Sequence, residues 1–150
     1  MASETKRDLV IVCNYEGSSY FEQLRQETRF DQDSRIKFVG TVYDKDLLKY
    51  LRQECRAYIH GHEVGGTNPS LLEALAQTNE NLVLGVDFNR KVALNTAHYW
   101  SKETGSLTSL INHVDGQPES HNLGQAAKRH MQEHYTWEEI VRQYEDLFLT

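Results

Sequence analysis

Residues 57–86, AYIHGHEVGGTNPSLLEALAQTNENLVLGV, contain the pattern that decides the fold. The segments Ala57–His60 and Asn81–Val86 are short apolar runs typical of strands. Between them, Asn68 is a favourable N-cap and Pro69 a favourable first residue of a helix. The stretch therefore predicts a strand, a glycine-containing loop, a helix and a second strand in succession.

The same alternation extends to both sides of this stretch. Asp8–Cys13 is a continuous apolar run, typical of a strand buried on both faces of a parallel sheet. Further strands are predicted over 36–39 and 97–100, and further helices over 20–29, 46–54, 107–113, 122–134 and 137–148. The pattern predicts an α/β fold in which a Rossmann-like open parallel sheet carries helices on both faces and a helical tail follows.

Composition narrows the class of protein. The 150 residues are 39% hydrophobic and 25% charged, which fits a single soluble globular domain covering residues 1–150. The formal net charge is −6 and no lysine/arginine cluster exceeds a dipeptide, so nucleic acid is not an expected partner. The N-terminal MASETKRD has no apolar signal core, and no run approaches the ~20 apolar residues that span a bilayer. A cytoplasmic location is expected.

The loop before the helix at Pro69 lies where such folds bind ligands. Parallel sheets take ligands at the carboxyl ends of their strands, and this loop follows the strand ending at His60. Gly65 and Gly66 can adopt positive φ angles and let a ligand approach the main chain. The helix start at Asn68 offers unpaired N–H groups and a partial positive charge, which suit an anionic or hydroxyl-rich ligand.

Charged and imidazole side chains surround this loop. Glu73 falls on the helix face opposite the leucines, where it is either an ordinary solvated residue or a site residue. His60 and His62 would share one face of a continuing strand and Glu63 follows, so a metal-dependent hydrolase with these three ligands is an alternative. A His-x-His pair with no further ligand at the spacing of known metal sites favours ordinary hydrogen bonding over metal binding.

The stretch HGHEVGGTNPSLLEALA at 60–76 also carries a family resemblance. Together with IKFVGTVYDKDLL at 36–48 and FNRKVALNTAHYW at 88–100, it resembles the C-terminal half of bacterial rhamnosyltransferases of retaining glycosyltransferase family four. Such enzymes have the GT-B fold, in which the C-terminal of two Rossmann-like domains binds most of the nucleotide-sugar donor. The resemblance implies that this chain is that donor-binding half, without its first strand and helix.

The resemblance also implies roles for individual residues. Glu73 matches the glutamate that holds the ribose hydroxyls of the donor. Val42 and Tyr43 match positions against the base. The family usually has a further glutamate where Gly65 stands, and Glu63 is expected to substitute for it at the sugar. The turn and helix start that match the sugar and diphosphate contacts are Gly65, Gly66, Thr67, Asn68, Pro69 and Ser70.

The two histidines are expected to support the chemistry. His62 and Glu63 are the candidate catalytic residues, and His60 is a further candidate for a hydrogen bond near the sugar. In the implied reaction, rhamnose or another hexose moves with retention from dTDP-rhamnose or a related donor to a lipid-linked saccharide of a cell-wall or capsule polysaccharide. No metal or other cofactor is implied. Placement and charge stabilisation would then be the main contributions of the protein.

The implied partners follow from the two-domain arrangement. They are the N-terminal acceptor-binding domain of the same parent chain and the lipid-linked acceptor, with the parent enzyme peripheral at the inner face of the membrane. The diphosphate-neutralising arginine and lysine or asparagine of the family precede the DLVIV strand and are absent here, so the fragment alone is expected to be inactive. Self-association of the fragment is a further expectation. A non-catalytic flavodoxin-like binding module is the alternative from another class.

Overall fold

Strands and helices alternate along the chain in the order that the sequence predicts. The computed structural model describes residues 3–118 and 121–149, so the first two residues of MASETKRD lie outside it. The elements are β1 (Leu9–Ile11), α1 (Ser19–Thr28), a 3-10 helix (Phe30–Gln32), β2 (Ile36–Phe38), α2 (Lys45–Glu54), β3 (Tyr58–His60), α3 (Pro69–Gln77), β4 (Asn81–Leu84), α4 (Asp87–Ala93), β5 (His98–Trp100), α5 (Ser106–Gly116), α6 (His121–His134) and α7 (Trp137–Leu149). The predicted α/β class with a C-terminal helical tail is confirmed, and α4 and the 3-10 helix are additions.

The described chain divides into two compact units, one of Glu4–Lys49 and a larger one made of Ser3 and the described residues from Tyr50 onward. The smaller unit has a two-stranded parallel sheet in which Leu9 of β1 is in register with Ile36 of β2. An aromatic cluster lies beside this sheet, with ring centroids 4.8 to 5.3 Å apart. Its members are Tyr15, Phe21, Phe30 and Phe38. Such edge-to-face and tilted pairs stabilise by roughly 0.5–1.5 kcal/mol each.

The prediction that Asp8–Cys13 forms a strand buried on both faces is wrong. Leu9 and Val10 of β1 are 40% and 45% exposed. Among the described residues β1 pairs only with β2, in a sheet separate from that of the other three strands. An apolar run indicates a strand, but it does not determine how many neighbours that strand acquires.

The larger unit is built around a three-stranded parallel sheet of order β3-β4-β5. All four residues of the central strand β4 are buried. The hydrophobic cluster joins this strand to α3, α4 and α6, and its buried members are Leu71, Leu75, Val83, Val92, Ala93, Ala127 and Met131. Because the three strands are parallel, the segments that follow them meet at one edge, which we call the carboxyl edge.

Helix α6 packs closely against the end of α3. A Cβ atom on Gly124 would lie 2.5 Å from Cα, 2.7 Å from the carbonyl oxygen and 3.0 Å from the carbonyl carbon of Asn79. These are backbone atoms, which cannot rotate away as a flexible side chain would. The glycine therefore sets the distance between α6 and the chain leaving α3.

We expect Gly124→Ala to lower the free energy of unfolding by about 2 kcal/mol, because overpacking outweighs the higher helix propensity of alanine. Urea unfolding followed by circular dichroism measures the change. Gly116→Ala is the matched control, since a Cβ at Gly116 meets nothing within 4 Å. Equal stability of the two variants would contradict the close packing of α6.

Within the described ranges, the helices lack the combination of length and apolar character that crossing a membrane requires.

Candidate functional site

The buried amide of Asn89 attaches the loop after β3 to the end of β4. Asn89 lies in α4 and is fully buried, and its Nδ2 donates to the carbonyl oxygens of His62 and Leu84, both at 3.0 Å. Leu84 is the last residue of β4, so one side chain joins two adjacent segments at the carboxyl edge. The loop that carries the candidate residues therefore begins from a fixed point.

The start of α3 has the cap that the sequence predicts. Asn68 is extended, with φ −92° and ψ 120°, and its side-chain oxygen accepts a hydrogen bond of 2.9 Å from the Ser70 amide. Pro69 is the first helical residue. The prediction of unpaired N–H groups is wrong for residues 69–71, because Pro69 has no N–H and the Leu71 amide donates to the Asn68 carbonyl oxygen at 3.0 Å. The positive end of the helix dipole is what favours an anion at this start.

The glycines ahead of α3 leave the main chain open to approach. Gly65 has φ +130°, a conformation that side chains rarely adopt, as expected from the sequence. A Cβ atom built at Gly65 or at Gly66 would meet nothing within 4 Å, and Thr67 is also exposed. A ligand can therefore reach the backbone between β3 and α3 without displacing side chains.

Glu73 lies one turn into α3 and forms an ion pair that the sequence did not reveal. Its Oε2 is 2.7 Å from Nη2 of Arg52, in the last turn of α2. The Glu73 side chain is 54% exposed, whereas that of Arg52 is only 14% exposed. The prediction that Glu73 points away from the apolar face of its helix is confirmed, and Arg52 holds it there.

The two histidines differ in accessibility. His60 ends β3 and is 1% exposed, and neither of its ring nitrogens has a hydrogen-bond partner among the described residues. Burial and, to a smaller extent, the charge of His62 lower the pKa of His60 from 6.5 to about 4. The His62 ring stacks on that of His60, with centroids 4.9 Å apart, and is exposed. Of the two, His62 is therefore the one that a ligand can contact without rearrangement.

Glu63 is exposed and pairs with Lys102, which follows β5 at the same carboxyl edge. The contact brings the ammonium group of Lys102 to this loop, and the sequence did not predict that. In residues 3–118 and 121–149, no three His, Cys, Asp or Glu side chains lie close enough together to hold a metal ion. His60, His62 and Glu63 therefore do not form such a group.

Val42 and Tyr43 belong to the smaller unit, between β2 and α2, while the other candidate residues belong to the larger one. Val42 is half-buried and Tyr43 is 89% exposed. Their role against the base of a nucleotide stays a prediction.

Comparison with known proteins yields a likeness of fold. No family model matches the chain, and no curated protein matches it. Among solved structures it is similar to a sucrose-phosphate synthase from Thermosynechococcus elongatus, with a TM-score of 0.75 and 19% sequence identity. The match covers 93% of this chain but 37% of the synthase. The likeness confirms the predicted fold class, a Rossmann-like α/β fold of the kind found in that synthase.

Proposed function

We propose that this chain is the donor-binding part of a GT-B glycosyltransferase and binds a nucleotide-diphosphate sugar at the carboxyl edge of β3-β4-β5. The observation that carries the proposal is the accessible, capped start of α3, with the open Gly65-Gly66 backbone ahead of it and the exposed carboxylate of Glu73 one turn further on. The likeness to sucrose-phosphate synthase supports it at the level of the fold.

The chemistry of a nucleotide sugar fits this arrangement in two places. The diphosphate would lie at the start of α3 and gain from the positive end of the helix. Lys102 lies in the same region and would add positive charge if a phosphate displaced Glu63. A hydroxyl of the pentose would donate to Glu73, because an ionised carboxylate only accepts hydrogen bonds.

The sugar would lie over the loop between β3 and α3, near His62 and Glu63. With the donor held there, transfer with retention would depend on placing the acceptor hydroxyl against the anomeric carbon and on stabilising the leaving diphosphate. We propose rhamnose as the sugar, dTDP-rhamnose as the donor and a lipid-linked saccharide as the acceptor. The acceptor would be held by a second domain of the same parent chain at the inner face of a membrane.

Calorimetric titration of the chain with dTDP tests donor binding directly. We expect saturable binding and a rise in melting temperature that grows with dTDP concentration. Pyrophosphate and thymidine are the two controls, and each should bind more weakly than dTDP because each lacks one half of the contacts. If dTDP and UDP both fail to bind or to raise the melting temperature, the donor-binding proposal is wrong and a non-catalytic flavodoxin-like module becomes the better interpretation.

A further inference from the structure

The head group of Arg90, in α4, is held in place by two neighbouring segments. Its Nε donates a hydrogen bond of 3.1 Å to the carbonyl oxygen of Gly85, the residue that follows β4. Its Cζ lies 4.2 Å from the centroid of the Tyr99 ring, in β5. A guanidinium over the face of a tyrosine is attracted by the ring electrons, and its edges stay available for hydrogen bonds.

Gly85 makes room for this head group. A Cβ atom built at Gly85 would lie 2.5 Å from Nη2, 3.2 Å from Cζ and 3.3 Å from Nε of Arg90. Gly85 does not have the positive φ angle that would by itself favour glycine. The guanidinium thus occupies the space that a side chain at position 85 would need, and the absence of that side chain lets Arg90 lie against the end of the central strand.

The guanidinium lies at the carboxyl edge, on the face of the sheet that α3 covers. Tyr99 is in register with Val83 of β4, so the two side chains point to the same face. Val83 belongs to the buried cluster that includes Leu71 in the first turn of α3, and Tyr99 packs against that cluster. Arg90 and the start of α3 therefore share both an edge and a face of β3-β4-β5.

Arg90 is exposed and has donors to spare. In the part of the chain that the structure describes, it forms no ion pair, and the four N–H groups on Nη1 and Nη2 meet no acceptor. Lys102, at the same edge, is by contrast bonded to Glu63. A planar guanidinium with free N–H groups matches two oxygens of one phosphate. Arg90 can therefore bind an anion without first releasing an acidic partner.

We propose that Arg90 is a phosphate-binding residue of the donor site and that Gly85 and Tyr99 are the positioning residues that hold its guanidinium. This inference rests on the proposed function, and it adds a cation that the family resemblance did not imply. The guanidinium and the positive end of α3 would both stabilise the negative charge of the diphosphate.

Calorimetric titrations of Arg90→Met with dTDP and with pyrophosphate test the phosphate contact. We expect each ligand to bind about tenfold more weakly than to the unaltered chain, because hydrogen bonds between two charged groups are lost. Lys91→Met is the matched control, since Lys91 is exposed at the next position of α4 and its loss changes the net charge equally. It should bind both ligands as the unaltered chain does.

Three results would overturn the inference and leave the proposed function standing. They are unchanged dTDP affinity in Arg90→Met, an equal loss in Lys91→Met, and a loss for dTDP that pyrophosphate does not share. Failure of the unaltered chain to bind dTDP or UDP would overturn both the inference and the proposed function. Urea unfolding of each variant checks that it is folded at the titration temperature.

Gly85→Ala tests the positioning role while keeping the cation. The added Cβ would displace the end of a flexible side chain, so we expect folding to be retained and dTDP to bind about three- to fivefold more weakly. In a chain that already carries Arg90→Met, the same substitution should have no further effect on dTDP affinity, because the group that it displaces is absent. Additive losses in the double variant would show that Gly85 acts independently of Arg90 and would overturn its positioning role.

Discussion

Replacing Glu73 by alanine is expected to weaken binding of dTDP to this chain by about 30-fold. A hydrogen bond to a charged group contributes roughly 1.5–3 kcal/mol, which corresponds to a factor of about 10 to 100 in the dissociation constant. The substitution removes the acceptor proposed for a hydroxyl of the pentose, and it also removes the ion-pair partner of the Arg52 guanidinium. Calorimetric titration with dTDP measures the change in affinity.

Glu133→Ala is the control for this experiment. Glu133 is exposed on α6, which carries none of the candidate residues, so the variant makes the same substitution on a helix outside the site. We expect it to bind dTDP with unchanged affinity. Unfolding curves of both variants check that each is folded at the titration temperature. A Glu73→Ala protein that is folded and binds dTDP as the unaltered chain does would rule out the pentose contact.

The elements of the fold were predictable because their signals are local. Apolar runs locate the strands and helical spacing locates the helices, so the observed bounds lie within a few residues of those predicted. Helix α4 was not predicted because its seven residues, DFNRKVA, are too few to show a helical repeat of apolar positions. Its most important residue, Asn89, is identified by a hydrogen bond to a carbonyl 27 residues earlier in the chain. No local pattern contains such a contact.

The same distinction applies to the candidate site. Three features depend on a single turn or loop, and the sequence predicts them correctly. They are the Asn68 cap, the positive φ of Gly65 and the outward direction of Glu73. Arg52 and Lys102 were not identified, because each enters the region through the packing of a separate element. The departure from the family's glutamate spacing at Gly65 was visible in the sequence, but the pairing of Glu63 with Lys102 was not.

Burial of His60 makes the larger unit sensitive to acid. Its pKa is lowered to about 4 in the folded chain, against 6.5 for an ordinary histidine, mainly because burial disfavours the imidazolium. Protonation therefore favours the unfolded chain. The contribution of His60 is complete above about pH 6.5 and is lost as the pH falls towards 4, with a total of about 3 kcal/mol.

Carboxylates with strong partners titrate in a lower range. A hydrogen bond from Arg35 lowers the pKa of Asp33 to about 2, and hydrogen bonds from Arg142, chiefly, lower that of Glu139 to about 2. Their contributions are complete above the ordinary carboxyl pKa values and are lost only as the pH falls towards 2. Of these three groups, His60 is therefore the one whose contribution to stability changes most between pH 6.5 and 4.

We expect His60→Phe to reduce the loss of unfolding free energy between pH 6.5 and 4 by about 3 kcal/mol. At pH 7 the variant should be at least as stable as the unaltered chain, because phenylalanine keeps a ring beside Tyr58 and removes two buried nitrogens that have no partner among the described residues. Urea unfolding at half-unit steps of pH measures both effects, and His121→Gln, at an exposed position, is the control. Parallel stability curves for His60→Phe and the unaltered chain across this interval would mean that His60 accepts a proton in the folded state, through a hydrogen-bond partner supplied by solvent or by a rearranged loop.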